Sequence, residues 1–96
     1  MMYPYVTLDD KTLITHSHLI NEKNGGKSVE VHFERPIWGG FDMARCVLPS
    51  YKWVIRDGYS DEEIKDFEIL LRNAAHSFFR YAEKGGLDIA KTDSHW

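Results

Sequence analysis

The sequence predicts an α+β fold: an antiparallel meander of four to five strands followed by one long C-terminal amphipathic helix packed on one face. Strand-forming segments separated by turn residues fill residues 1–58, and a single helical pattern fills residues 60–85. Strands in one run and a helix in another indicate α+β rather than alternating α/β organisation. The 96 residues fit a single domain, with residues 86–96 as a tail.

Five short segments rich in apolar and β-branched residues are predicted to form the strands. They cover residues 3–8, 12–20, 28–35, 41–48 and, as a fifth strand or an extended arm, 51–55. The third alternates apolar and polar side chains, as expected for an antiparallel strand with one buried face. A hairpin turn at Asn24-Gly25-Gly26 precedes it, and a loop over residues 36–40 with Trp38 at its tip follows it.

Both ends of the helix are marked in the sequence. Ser60 and Glu63 match the capping box, and Gly85 can take the left-handed conformation that ends a helix. At 100° per residue one broad arc is apolar, so we expect it to cover the sheet. The residues of this arc are Ile64, Phe67, Leu70, Leu71, Ala74, Ala75, Phe78, Phe79, Tyr81 and Ala82. Beyond the helix, Leu87 and Ile89 are expected to return to the core.

Composition and charge narrow the classes of function. The net charge is −3 and the 12 Lys and Arg residues are scattered, which disfavours nucleic-acid binding. The sequence contains no apolar run of 18 residues, so it predicts no membrane span. The N-terminus lacks the pattern of a signal peptide. The single cysteine, Cys46, is expected to be a small core residue in a reducing compartment. Together these features predict a cytoplasmic protein.

The second and fourth predicted strands carry apolar residues on both faces, with Leu13 and Leu19 on one side of the second strand and Ile14 and Ile20 on the other. Such strands are usually buried on both faces. Because only one long helix is available, we expect a second copy of the chain to cover the other face, giving a homodimer.

Three histidines form the one pattern that suggests metal chemistry. His16 and His18 share a strand face, and His32 lies on the next strand, a geometry that can hold zinc or iron. With a two-residue turn at Asn24-Gly25, His16 faces Phe33 and His32 lies on the opposite face. With a three-residue loop, His18 faces His32 and the three histidines cluster, because a one-residue slip exchanges the faces. The sequence leaves this register open.

Together with Glu22, the histidines His16 and His18 form HxHxxxE, which resembles part of the cupin metal motif. The resemblance covers seven residues, and the glycine expected further along is missing. A cupin also needs about eight strands in two sheets, whereas more than a quarter of this chain is predicted to be helical. We therefore do not assign the chain to the cupins.

We expect a non-enzymatic interaction or regulatory module, without a cofactor, that binds another protein. Trp38 either folds back onto the core or makes a binding contact, and the polar helix face with its exposed Ile69 is a second candidate surface. The predicted partner-binding residues are Trp38, Gly39, Gly40, Ile69, Arg72, His76 and Arg80. One alternative is a metal-binding protein or metal-dependent enzyme that uses His16, His18 and His32. A third is a ribonuclease-like toxin with His32, Arg45 and Tyr51.

Overall fold

The computed structural model describes residues 2–85, which form an antiparallel sheet covered on one face by one helix. The predicted α+β fold class is confirmed. The strands follow the order β1-β2-β4-β5-β6, and β3 pairs with β4 beside this path. The tail over residues 86–96, including Leu87 and Ile89, lies outside the described residues. The elements are β1 (Met2–Thr7), β2 (Leu13–Ser17), β3 (Ile20–Asn21), β4 (Lys27–Ile37), β5 (Gly40–Leu48), β6 (Lys52–Asp57) and α1 (Asp61–Lys84).

Helix α1 begins and ends where the sequence predicts. The Ser60 side chain accepts a hydrogen bond from the backbone N–H of Glu63, and the Glu63 side chain accepts one from the backbone N–H of Ser60. Gly85 closes the helix in the left-handed conformation, with φ of 84°. These local bonds satisfy backbone groups that a helix end leaves unpaired.

The core lies between α1 and the central strand β4. Val29, Val31 and Phe33 of β4 are fully buried, as their alternation predicts. Phe67 of α1 stacks on Phe33, with ring centroids 4.2 Å apart and an interplanar angle of 12°. Towards the end of the helix, Phe78 packs against Tyr5 of β1. The helix therefore crosses the sheet from β4 towards β1, and the opposite sheet face, here called the open face, has no helix over it within residues 2–85.

The second predicted strand is interrupted in the structure. Strand β2 ends at Ser17, and the chain pairs again with β4 only at Ile20 and Asn21. The turn into β4 also differs from the prediction. Gly25 has a positive φ of 89°, and the backbone N–H of Glu22 donates a hydrogen bond to the carbonyl of Gly26 across the loop. The resulting register pairs His16 with Val31 and Thr15 with His32. The facing pairs of both registers considered from the sequence are therefore wrong, although His16 and His32 do lie on opposite faces, as the two-residue turn predicted.

Residues 36–40 form less of a loop than predicted. Strand β4 continues to Ile37 and β5 starts at Gly40, so only Trp38 and Gly39 connect them. Gly39 adopts a φ of 81°, which is available to glycine without a steric penalty. The two strands thus form a long hairpin whose tip projects from the sheet.

Both edges of the sheet are irregular. The pairing of β1 with β2 shifts between Pro4 and Val6, and the pairing of β5 with β6 shifts between Arg45 and Cys46. Such bulges, and a proline on an edge strand, disfavour strand pairing with another chain. Among the described residues, α1 is too polar to cross a membrane.

Candidate functional site

The tip of the β4–β5 hairpin is the most exposed apolar feature of the described structure. The Trp38 side chain is 99% exposed, and its neighbours Ile37 and Phe41 are 47% and 59% exposed. The alternative in which Trp38 folds back onto the core is therefore wrong. A large aromatic side chain that gains nothing from folding is available for contact with another molecule.

An ion-pair cluster fixes the base of this hairpin. Arg35 of β4 donates to Asp42 of β5 from Nε and Nη2, at 2.9 and 2.7 Å from the same carboxylate oxygen. Its Nη1 atom donates to Asp10, in the β1–β2 connection, at 3.0 Å and to Glu63 of α1 at 2.6 Å. The guanidinium also lies 4.6 Å from the centroid of the Tyr59 ring. One side chain thereby joins both hairpin strands, a loop and the helix start.

The charge of Arg35 changes the titration of its partners. Hydrogen bonds from Arg35 and from the Ser60 backbone hold the pKa of Glu63 below its usual value. Burial by itself would raise the pKa of Asp10, but hydrogen bonds from Thr12 and Arg35 outweigh it and lower that pKa. Hydrogen bonds to Glu63, Asp42 and Asp10 in turn raise the pKa of Arg35 above its usual value.

The predicted helix surface is separate from the hairpin tip. Ile69 is 60% exposed, and Arg72 stacks on Tyr51 at 4.3 Å from the ring centroid. Trp38 precedes the first residue of β5, whereas Tyr51 follows its last residue. The two ends of this strand are about 26 Å apart, because they are separated by eight residue steps. His76 and Arg80 are exposed on the same helix. The structure therefore presents two surfaces, and Gly39 and Gly40 belong to the tip.

The three histidines are not brought together. His16 is fully buried on the face that α1 covers, beside Tyr3 and Phe78. His18 lies in the break after β2 and is exposed, and His32 points to the open face. Within residues 2–85 no three His, Cys, Asp or Glu side chains are close enough to hold a metal ion. The predicted site based on His16, His18 and His32 does not form, because the observed register separates His16 from His32.

His32 instead belongs to a charged group on the open face. It lies directly opposite Arg45 of β5, and its Nε2 atom is 3.2 Å from Oε1 of Glu30. Nε of Arg45 is 3.9 Å from the same oxygen. Burial, assisted by the charge of Arg45, holds the pKa of His32 below its usual value despite the hydrogen bond to Glu30. Tyr51, the third residue of the ribonuclease-like alternative, contacts Arg72 of α1 instead.

Two surface cavities lie away from the tip. The larger, about 590 Å³, is formed between the β3–β4 loop and the β5–β6 turn, with Lys27 and Pro49 in its wall. The smaller, about 410 Å³, lies beside the start of α1, with Leu8, Phe67 and Leu70 as its apolar residues and Asp10 and Glu63 among its acids. Neither cavity is lined by a residue predicted from the sequence to bind a partner or a metal.

The chain matches no protein-family model, no curated protein and no solved structure.

Sequence reasoning missed the Arg35 cluster and the role of Glu30. The cluster joins residues that are far apart in the chain, and no short-range pattern indicates it. The proximity of Glu30 to His32 had a visible signal, since residues two apart on a strand share a face. The position of Arg45 beside them depends on the β4–β5 register, which the length of the Trp38-Gly39 turn sets.

Proposed function

We propose that the protein is a non-enzymatic interaction module that binds another protein by inserting Trp38 into an apolar pocket of that partner. The observation that carries the proposal is the 99% exposure of Trp38 at the tip of a two-residue turn, next to exposed Ile37 and Phe41. Tryptophan is enriched among the few residues that supply most of the energy of protein–protein binding.

The rigidity of the hairpin supports this proposal. Strands β4 and β5 pair continuously from Val29 and Leu48 to Ile37 and Gly40. The ion pair between Arg35 and Asp42 joins the two strands near the hairpin tip. A side chain presented on a rigid element loses little conformational entropy on binding, so more of its contact energy appears as affinity.

The expected energy is large enough to measure. Burying an aromatic side chain removes about 150–250 Å² of surface from water, which corresponds to about 4–6 kcal/mol before the costs of association. A loss of about 2 kcal/mol or more on truncation is the usual criterion for a dominant contact. For Trp38→Ala this corresponds to a Kd at least about 30-fold weaker.

Site-specific crosslinking tests the proposal. A photoreactive phenylalanine analogue at position 38 should capture a protein partner in cells, whereas the same group at position 54 should not. Val54 is a matched control because it is exposed to 47% but lies on β6, away from the tip. The captured protein is then purified, and its Kd is measured for the wild type, Trp38→Ala and Val54→Ala.

The proposal predicts that Trp38→Ala weakens this Kd and that Val54→Ala leaves it unchanged. An unchanged Kd for Trp38→Ala would contradict it. Equal capture of proteins from positions 38 and 54 would also count against the tip. If no protein is captured, and the wild type but not Trp38→Ala binds lipid vesicles, the partner of Trp38 would be a membrane surface and not a protein.

Two other predictions from the sequence remain untested. The homodimer rests on apolar residues on both faces of β2 and β5. Sedimentation equilibrium measures it directly, and a monomer at the highest attainable concentration would rule it out. The helix surface around Ile69 also stays a prediction; an Ile69→Ser variant that keeps full affinity for the captured partner would exclude it from that interface.

A further inference from the structure

The centre of the open face holds a guanidinium that lacks part of its usual hydrogen bonding. Nε of Arg45 is buried and finds no acceptor within residues 2–85. The 3.9 Å between Nε and Oε1 of Glu30 is an ion-pair distance, too long for a hydrogen bond. A buried donor without an acceptor costs about 1–3 kcal/mol, so such a group requires an explanation.

Arg35 shows how this fold pairs an arginine whose role is structural. Its guanidinium donates to Asp10, Asp42 and Glu63 at the same time. Arg45, by comparison, has one carboxylate within ion-pair distance among residues 2–85, that of Glu30, and shares it with His32. Its side chain as a whole is 33% exposed on the open face, although the Nε atom itself is buried. Arg45 therefore has donor capacity that the described chain does not use.

His32 supplies a second donor at the same place. A carboxylate only accepts, so Nε2 of His32 carries the hydrogen shared with Glu30. In the neutral ring Nδ1 then holds a lone pair, and protonation makes it a donor. The charged groups around His32 are Glu30 and Glu34 on its own strand and Arg45 on β5, while its partner on β2 is the uncharged Thr15. An added anion would favour the protonated ring.

We propose that the open face binds a singly charged oxyanion, either a carboxylate or a phosphate diester, between Arg45 and His32. The guanidinium fork matches the two oxygens that both groups present. With His32 protonated, the two cations are balanced by Glu30 and Glu34, so a ligand with one negative charge adds less repulsion than a ligand with two. The nearby Glu34 disfavours a doubly charged ligand. This site goes beyond the proposed function and does not involve Trp38.

Binding of the anion should be coupled to protonation of His32. Because the anion favours protonated His32, it raises the pKa of that ring, and affinity should increase as pH falls towards the pKa of His32 in the free protein, which lies below 6.5. Replacing His32 by Gln should remove this pH dependence, while Arg45 still provides weaker binding.

Titrations followed by NMR test the site in the full chain. Acetate and dimethyl phosphate are added separately at constant ionic strength, with chloride as the reference, while the His32 ring and Arg45 Nε–H signals are recorded. We expect saturable shifts with at least one of the two anions, and the one that saturates identifies the source of the oxyanion. Arg80→Gln on the exposed side of α1 is the matched control, and it should bind like the wild type.

Arg45→Gln should weaken binding at least tenfold, and Arg45→Lys, which keeps the charge but loses the fork, should bind less tightly than the wild type. If Arg45→Gln does not fold, the Lys variant decides the result. The absence of saturable shifts with both anions, or equal affinity in Arg45→Lys and the wild type, would overturn the proposal. Trp38→Ala should bind the anion normally, so failure here is distinguishable from failure at the hairpin tip.

Discussion

Replacement of Arg35 by Met should strongly destabilise the protein. The change keeps much of the side-chain volume but leaves Asp42, which is only 8% exposed, without its cation. Removing one partner of a buried pair costs about 3–5 kcal/mol. Because the Arg35 side chain is 20% exposed, we expect about 3 kcal/mol.

Urea unfolding followed by circular dichroism measures this effect. With an m-value of about 1.5 kcal/mol/M the midpoint should fall by about 2 M, with m unchanged. Arg56→Gln is the matched control. Arg56 pairs with Asp61 at 2.7 Å, but the Asp61 side chain is 90% exposed, so the expected loss is about 0–1 kcal/mol.

The destabilisation should also depend on pH. The folded-state pKa values of Asp10 and Glu63 lie below their ordinary values of 3.8 and 4.5. Their contribution to stability is therefore present above those values and is lost as pH falls through the lower, folded-state values. The difference between wild type and Arg35→Met should shrink as the pH is lowered below 3.8, through the folded-state pKa values of these two carboxyls. Equal costs for Arg35→Met and Arg56→Gln, or a difference that does not change in acid, would refute the reasoning.

Two further predictions concern a glycine and the cysteine. Gly58 has a φ of 97°, and an added Cβ would overlap the Asp42 carboxylate. Gly58→Ala should therefore cost more than about 2 kcal/mol, whereas Gly25→Ala, with φ of 89° and open space, should cost only the conformational penalty of about 1–2 kcal/mol; equal losses in urea unfolding would contradict this difference. Burial raises the pKa of the Cys46 thiol to about 12, so at about pH 8 roughly one thiol in 10⁴ is ionised. Iodoacetamide should label Cys46 quickly in urea and very slowly in the native protein, and rapid native labelling would show that the core opens readily.

The local features of the fold could be predicted from the sequence. The capping box at Ser60 and Glu63 and the glycine at position 85 are short-range signals, because their hydrogen bonds join residues a few positions apart. The alternation in β4 identified Val29, Val31 and Phe33 as buried for the same reason. The α+β class followed from the order of these elements.

The candidate sites depended on longer-range geometry. The positions of His16 and His32 relative to each other changed with the register of β2 on β4, and a displaced turn at Gly25 together with the break after Ser17 set that register. A slip of one residue reverses the face of every side chain in a strand, so no pattern within one strand could decide it. The exposure of Trp38 likewise depended on whether the chain turned in two residues or in five.

The amino-acid order alone determined the α+β order of the elements, where α1 begins and ends, and which face of β4 is apolar, because these properties arise from residues close together in the chain. Tertiary structure alone decided that Arg35 joins three carboxylates, that Glu30 lies beside both His32 and Arg45, and that Trp38 is exposed rather than packed on the core. Those contacts depend on strand register and on packing between elements, where each position is set by the whole fold and by no single segment.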